Sequence, residues 1–123
     1  MKPVKTGINR ILSAFANSFN GFKQTYKSEQ AFRQDLFLCF FLSIATLFFS
    51  ISIWQKGLLI SSLLIILLAE LINTAIETII DRISDEYHEL SKKAKDIGSL
   101  LVLVSFIYAA VIWFTVLYSQ WIN

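Results

Sequence analysis

LLISSLLIILLAELINTAIETIID, residues 58–81, mixes long apolar runs with carboxylates. A helix needs ~20 apolar residues to cross a bilayer, and residues 57–80 supply that length. Yet Glu70 sits inside the run, Glu77 near its end and Asp81 at its boundary, with Asn73 and Thr74 between them. At 100° per residue these five positions fall at about 0°, 300°, 40°, 340° and 20°, one face about 100° wide. Glu70 and Glu77 are then about 10 Å apart along the axis, and Glu77 and Asp81 about 6 Å. A carboxylate inside a bilayer is costly and points to function. The stripe must face other helices or a water-filled crevice. Clustered carboxylates at low dielectric repel one another unless a proton or a cation intervenes. One solution has Glu77 binding a divalent metal, while the deeper Glu70 is suited to proton abstraction. For Asn73 and Thr74 alone, hydrogen bonding between helices is the simpler account.

Working outward, the composition agrees with a membrane setting. Of 123 residues, 55% are hydrophobic and only 16% charged, against roughly 25% charged in soluble domains. Mean hydropathy is +0.60. A charge-free, Phe-rich segment over about 36–54 forms a first span, and 57–80 a second. Only Gln55, Lys56 and Gly57 separate them, which predicts a tight antiparallel hairpin. A third span covers about 97–118, with Trp54, Tyr118 and Trp121 at span ends. No compact apolar core with a cleavage site marks a secretory signal at the N-terminus. Instead Ile8, Ile11, Leu12, Phe15, Phe19, Phe22 and Tyr26 share one helical stripe, which predicts a helix in the membrane interface over about 5–27. The expected fold is therefore an all-α membrane protein in one domain, 1–123: an N-terminal amphipathic surface helix and three transmembrane helices.

Cations set the orientation. Lys2, Lys5, Arg10, Lys23, Lys27 and Arg33 precede the first span, and Arg82, Lys92, Lys93 and Lys95 lie in 82–96. The first hairpin has Lys56 alone and the C-terminal tail none. The positive-inside rule places the N-terminus and the 82–96 loop in the cytoplasm and the C-terminus opposite. A net charge of +2 is too mild for a nucleic-acid partner. Cys39 is the one cysteine, which rules out an intrachain disulfide or a cysteine-rich metal site. Glycines at 7, 21, 57 and 98 are too dispersed for a P-loop or a dinucleotide fingerprint. Neither a nucleophile elbow nor zinc-ligand spacing appears. Nucleotide chemistry here would need carboxylate-held metal and scattered cations. Further acids sit on the predicted cytoplasmic side: Glu29 and Asp35 in SEQAFRQDL, and Asp85, Glu86, Glu89 and Asp96 in RISDEYHELSKKAKD. On their own these read as helix-entry or solvated charges.

The segment AELINTAIETIIDRISDEYHELSKKAKDIGS, 69–99, closely resembles the prokaryotic integral-membrane diacylglycerol kinase family, including its E-x-I-N-T-A-I-E-x-x-x-D signature. The likeness extends to EQAFRQD at 29–35 and LLISS at 58–62. It implies a homotrimer in the bacterial inner membrane, with active sites shared between subunits at the cytoplasmic boundary. It implies transfer of the γ-phosphoryl of MgATP to the primary hydroxyl of diacylglycerol, giving phosphatidic acid. By position, Glu70 matches the general base, and Glu29 and Glu77 the carboxylates that hold Mg²⁺. Arg10, Asn17, Glu29, Glu77, Glu86, Tyr87, His88, Lys95 and Asp96 match nucleotide contacts. Arg10, Ala31, Phe32, Arg33, Gln34, Asp35, Glu70, Ser99 and Trp113 match the lipid site, and Asn73 and Asp81 match supporting positions. Two residues depart from the family pattern: Asn17 stands where a tyrosine is familiar, and Asp35 where a glutamate is. The competing expectations are an undecaprenol kinase of the same fold and a non-enzymatic cation or proton conduit. The YHELSKKAKD loop resembles the diacylglycerol branch. A conduit would leave Arg10, Glu29, Lys95 and Asp96 without a joint explanation.

Overall fold

The computed structural model describes Val4 and residues 6–123, all helices and short connections. The elements are α1 (Gly7–Ser28), α2 (Gln30–Leu47), α3 (Ile53–Ile83) and α4 (Glu89–Ile122). Position 5, the expected start of the surface helix, and the early cations Lys2 and Lys5 lie outside the described residues.

Helix α1 carries the amphipathic stripe and buries no residue. Ile8, Phe15 and Phe19 are 72%, 72% and 63% exposed, so the apolar face has no cover within this chain. One extended residue, Glu29, joins α1 to α2 (φ −113°, ψ 105°). Its N–H donates to Thr25 O at 2.9 Å and its carbonyl accepts from Arg33 N at 3.2 Å. Arg33 adds a clamp: its guanidinium donates to the α1 carbonyls of Tyr26 (2.6 Å) and Lys27 (3.0 Å). A cation on the last carbonyls of a helix satisfies groups that have no partner inside it. Phe32, buried, sets an edge-on ring contact with Phe22 across the same corner.

The expected hairpin at 55–57 is corrected. Helix α2 ends at Leu47, residues 48–52 turn, and Trp54, Gln55, Lys56 and Gly57 lie in the first turns of α3. The cause is capping. Ser52 Oγ accepts from Gln55 N at 3.2 Å while Gln55 Oε1 accepts from Ser52 N at 3.0 Å, a reciprocal capping box. Lys56 reaches back to Leu47 O at 2.8 Å and closes the end of α2. The apolar pair Phe48 and Phe49 carries the hydrophobic run straight through this turn and hides it. Similarly, the polar 82–96 stretch is loop only at 84–88. His88 Nδ1 accepts from Leu90 N at 3.1 Å and starts α4 several residues before the apolar run.

Only α3 and α4 are long and apolar enough to cross a membrane among the described residues. At 1.5 Å per residue they run about 46 and 51 Å, beyond the ~30 Å of hydrocarbon. Helix α2 carries Arg33 and Asp35 in its first two turns, which leaves an uninterrupted charge-free run only over 36–47. Helix α3 is central and packs on both α2 and α4. Cys39 of α2, Leu63 and Ile66 of α3 and Ala109 of α4 form the core, backed by Leu42, Leu67, Phe106 and Trp113. Buried hydroxyls stay satisfied: Thr46 donates to Leu42 O (2.8 Å) and Ser62 to Leu59 O (2.6 Å). Trp113 Nε1 donates to Ser62 Oγ at 3.0 Å and ties α4 to α3.

Candidate active site

The acidic face of α3 turns toward its neighbours as its cost in lipid demands. Glu70 is buried, 7% exposed. Asp35 of α2 acts on its carboxyl, as do Glu77 and Glu29. The α1–α2 elbow and the α2–α3 packing place Glu29, Asp35 and Glu77 within electrostatic reach of Glu70, from two helices and a joint. Asn73 Nδ2 donates to Glu77 Oε1 at 3.3 Å. One turn on, Asp81 accepts from Lys95 Nζ of α4 at 2.8 Å, and Glu77 and Asp85 also act on that ammonium. Glu77 therefore links a buried carboxylate group to a charged, solvent-facing one.

That outer group surrounds a pocket of about 320 Å³ lined by Asp81, Asp85, Glu86, Tyr87, His88 and Lys95, among others. Tyr87 is 80% exposed at its mouth. Asp96 is held by Lys92 at 2.7 Å on the next turn of α4. Arg10 and Asn17 stand exposed on α1, whose packing is on α2, and they do not line this pocket. Within 31–35, Ala31 and Gln34 are exposed, Phe32 is buried under Phe22, and Arg33 is committed to the α1 carbonyls. Asp35 is the member of that run set against Glu70. Ser99 is exposed on α4. Trp113, 14 residues further along α4, packs edge-on to Phe49 and bonds Ser62, about 20 Å along the axis from Ser99.

Among the described residues no three His, Cys, Asp or Glu side chains group tightly enough to enclose a metal ion. Mg²⁺ does not require such a cage; it commonly takes one or two carboxylates and fills the remaining positions with phosphate oxygens and water. Glu29 and Glu77 are hard oxygen donors that both act on Glu70, and the donor type suits that chemistry. Sequence reasoning named Arg33 for the lipid site but not its hold on α1, and it gave Gly98 no role. Arg33 shapes the elbow that carries Glu29, and Gly98 meets Asn73 across the α3–α4 contact. The available signals were a cation five residues past a helix end and a glycine inside a helix.

Fold and site define an all-helical membrane protein with a buried glutamate among partly exposed acids and a charged pocket at one end of its long apolar helices. The prokaryotic diacylglycerol kinase family model matches residues 16–117. The chain is 37% identical over 115 residues to the diacylglycerol kinase of Escherichia coli (strain K12), covering 94% of each chain. It is 40% identical over 113 residues to that of Pseudomonas aeruginosa, covering 92% of each. To that of Haemophilus influenzae it is 37% identical, covering 92% of this chain and 96% of the other. The chain belongs to the prokaryotic diacylglycerol kinase family.

Proposed function

We propose that this protein is an ATP-dependent lipid kinase that moves the γ-phosphoryl of MgATP to the primary hydroxyl of 1,2-diacylglycerol, releasing ADP and phosphatidic acid. The observation that carries the reading is the buried Glu70 among Asp35, Glu77 and Glu29, on the helix bearing the family's signature. Glu70 accepts the hydroxyl proton as the lipid oxygen bonds to the γ-phosphorus and the bond from that phosphorus to the β-bridging oxygen breaks. Its depth suits a lipid that enters sideways from the bilayer. Glu29 and Glu77 would hold Mg²⁺, which when bound neutralises phosphate charge. Lys95 and Arg10 offset what charge remains, with Asn17, Glu86, Tyr87, His88 and Asp96 contacting the nucleotide. Asp35, with Ala31, Phe32, Arg33, Gln34, Ser99 and Trp113, borders the lipid. Asn73 and Asp81 support the carboxylates. Phosphoryl transfer depends on alignment and charge neutralisation more than on covalent chemistry, which suits a site of scattered charges.

The same reading makes the protein a homotrimer of three-span subunits in the bacterial inner membrane, N-terminus cytoplasmic and C-terminus opposite. Arg10 and Asn17 stand apart from the 81–96 pocket of their own chain, and a neighbouring subunit can supply the missing half. The uncovered apolar faces of α2, α3 and α4 suit the same assembly.

The test is Mg²⁺-dependent phosphorylation of a short-chain diacylglycerol by the purified protein in mixed micelles, with undecaprenol in a parallel tube. Turnover on the diacylglycerol is expected. Glu70→Gln is expected to keep its helical content and assembly and lose at least ~100-fold in turnover, the low end of general-base contributions. Near-normal turnover in that variant overturns the role of Glu70. Turnover on the polyprenol alone reassigns the lipid.

A further inference from the structure

Gly98 is buried on α4, one turn beyond Lys95. A Cβ placed on it would overlap Asn73 Oδ1, with Asn73 Cγ at 3.2 Å and Asn73 Cα at 3.8 Å as its next neighbours. Gly7, Gly21 and Gly57 have nothing within 4 Å of the same position. The Asn73 carboxamide thus occupies the volume that any other side chain at 98 would need. Asn73 Nδ2 donates to Glu77 Oε1, so the amide nitrogen faces that side chain and the amide oxygen is turned into α4. That oxygen is the single buried side-chain N or O atom without a partner among the described residues. Both features disfavour folding: glycine inside a helix weakens it, and a buried amide oxygen without a donor is unfavourable. Two such departures meeting at one contact are the pattern expected where function, not stability, sets the arrangement.

We propose that Gly98 is a positioning residue for phosphoryl transfer: by lacking a side chain it seats Asn73 between α3 and α4, and Asn73 in turn fixes the Glu77 carboxylate for the divalent cation. The inference rests on the metal role given to Glu77 above. Groups that orient a metal-binding side chain typically change metal affinity by about 10–100-fold when removed.

The experiment uses the full-length protein in detergent micelles with a non-hydrolysable ATP analogue. Mn²⁺ binding is read by electron paramagnetic resonance, alongside the thermal unfolding midpoint and the Mg²⁺ dependence of turnover. Gly98→Ala and Asn73→Ala are each expected to weaken Mn²⁺ binding about tenfold or more, in the direction of Glu77→Gln. Adding Asn73→Ala to Gly98→Ala is expected to cost no further Mn²⁺ affinity, because the hydrogen bond is already lost. It is also expected to restore the unfolding midpoint, because the smaller side chain makes room for the new Cβ. Wild-type Mn²⁺ affinity in Gly98→Ala, with Glu77→Gln impaired, removes the role of Gly98 and leaves that of Glu77. Unchanged binding in Glu77→Gln overturns the metal assignment and this inference with it. Should Gly98→Ala not fold, the double variant decides: failure to recover folding shows that the glycine is not there to admit Asn73.

Discussion

Ser62 shows how single residues hold this bundle together. Lipid is as apolar as leucine, so helices in a bilayer gain little from hydrophobic burial and depend on close packing and hydrogen bonds. The Trp113–Ser62 bond, 3.0 Å and partly buried, is such a tie. Ser62→Ala leaves the indole N–H without its acceptor and is expected to destabilise the protein by about 1–2 kcal/mol in a denaturant titration. Turnover per folded molecule should fall far less than in Glu70→Gln, since Ser62 lies two helical turns from Glu70 and reaches the lipid site only through Trp113. The Asp81–Lys95 bridge behaves differently, being exposed and worth little to stability. Lys95→Met is expected to leave the unfolding midpoint within a degree or two, yet raise the KM for ATP about tenfold through one lost charge-assisted contact. An unchanged KM would take Lys95 out of the nucleotide site.

Among the elements, the α1–α2 elbow is the least supported and the most consequential. Helix α1 buries nothing and is held by Glu29, Arg33 and the Phe22–Phe32 contact. Amphipathic periodicity makes its existence readable from sequence, but the clamp on its last carbonyls is visible only once α2 is in place. Arg33→Met removes that clamp while keeping an apolar stem. Hydrogen exchange of the amides at 22–28 should quicken about tenfold or more, as expected for losing bonds to a charged donor. Exchange rates equal to wild type would show that ring packing alone holds the corner. The turn at 48–52 carries the opposite lesson. Hydropathy reads through it because Phe48 and Phe49 are apolar, whereas the Ser52–Gln55 box that starts α3 is a local hydrogen-bond signal.

For the whole molecule, the arrangement of the site leads to a mixing experiment. Arg10 stands exposed on α1, whereas Glu70 is buried on α3. If each site draws Arg10 from one subunit and Glu70 from another, then inactive Arg10→Ala and Glu70→Gln chains should complement when assembled together. Random assembly at equal amounts would return about a quarter of wild-type turnover, whereas sites built within one chain would return none. Chemical cross-linking of the same preparation should stop at three subunits.

Sequence alone determined the helical class, two membrane-length apolar helices and the shared face of residues 70–81, while the run it read at 36–54 is broken by the turn at 48–52. Those properties follow from the local geometry of one helix, 3.6 residues to the turn, and from the cost of charge in lipid. It also placed the chain in its family through the 70–81 signature. What the tertiary structure decided was partnership: Asp35 against Glu70, Lys95 on Asp81, Trp113 on Ser62, Asn73 in the space left by Gly98. Each pair joins residues distant in the chain, and its formation depends on how far one helix is rotated and shifted against the next. Packing of whole faces sets that rotation, and no periodicity within a single segment encodes it.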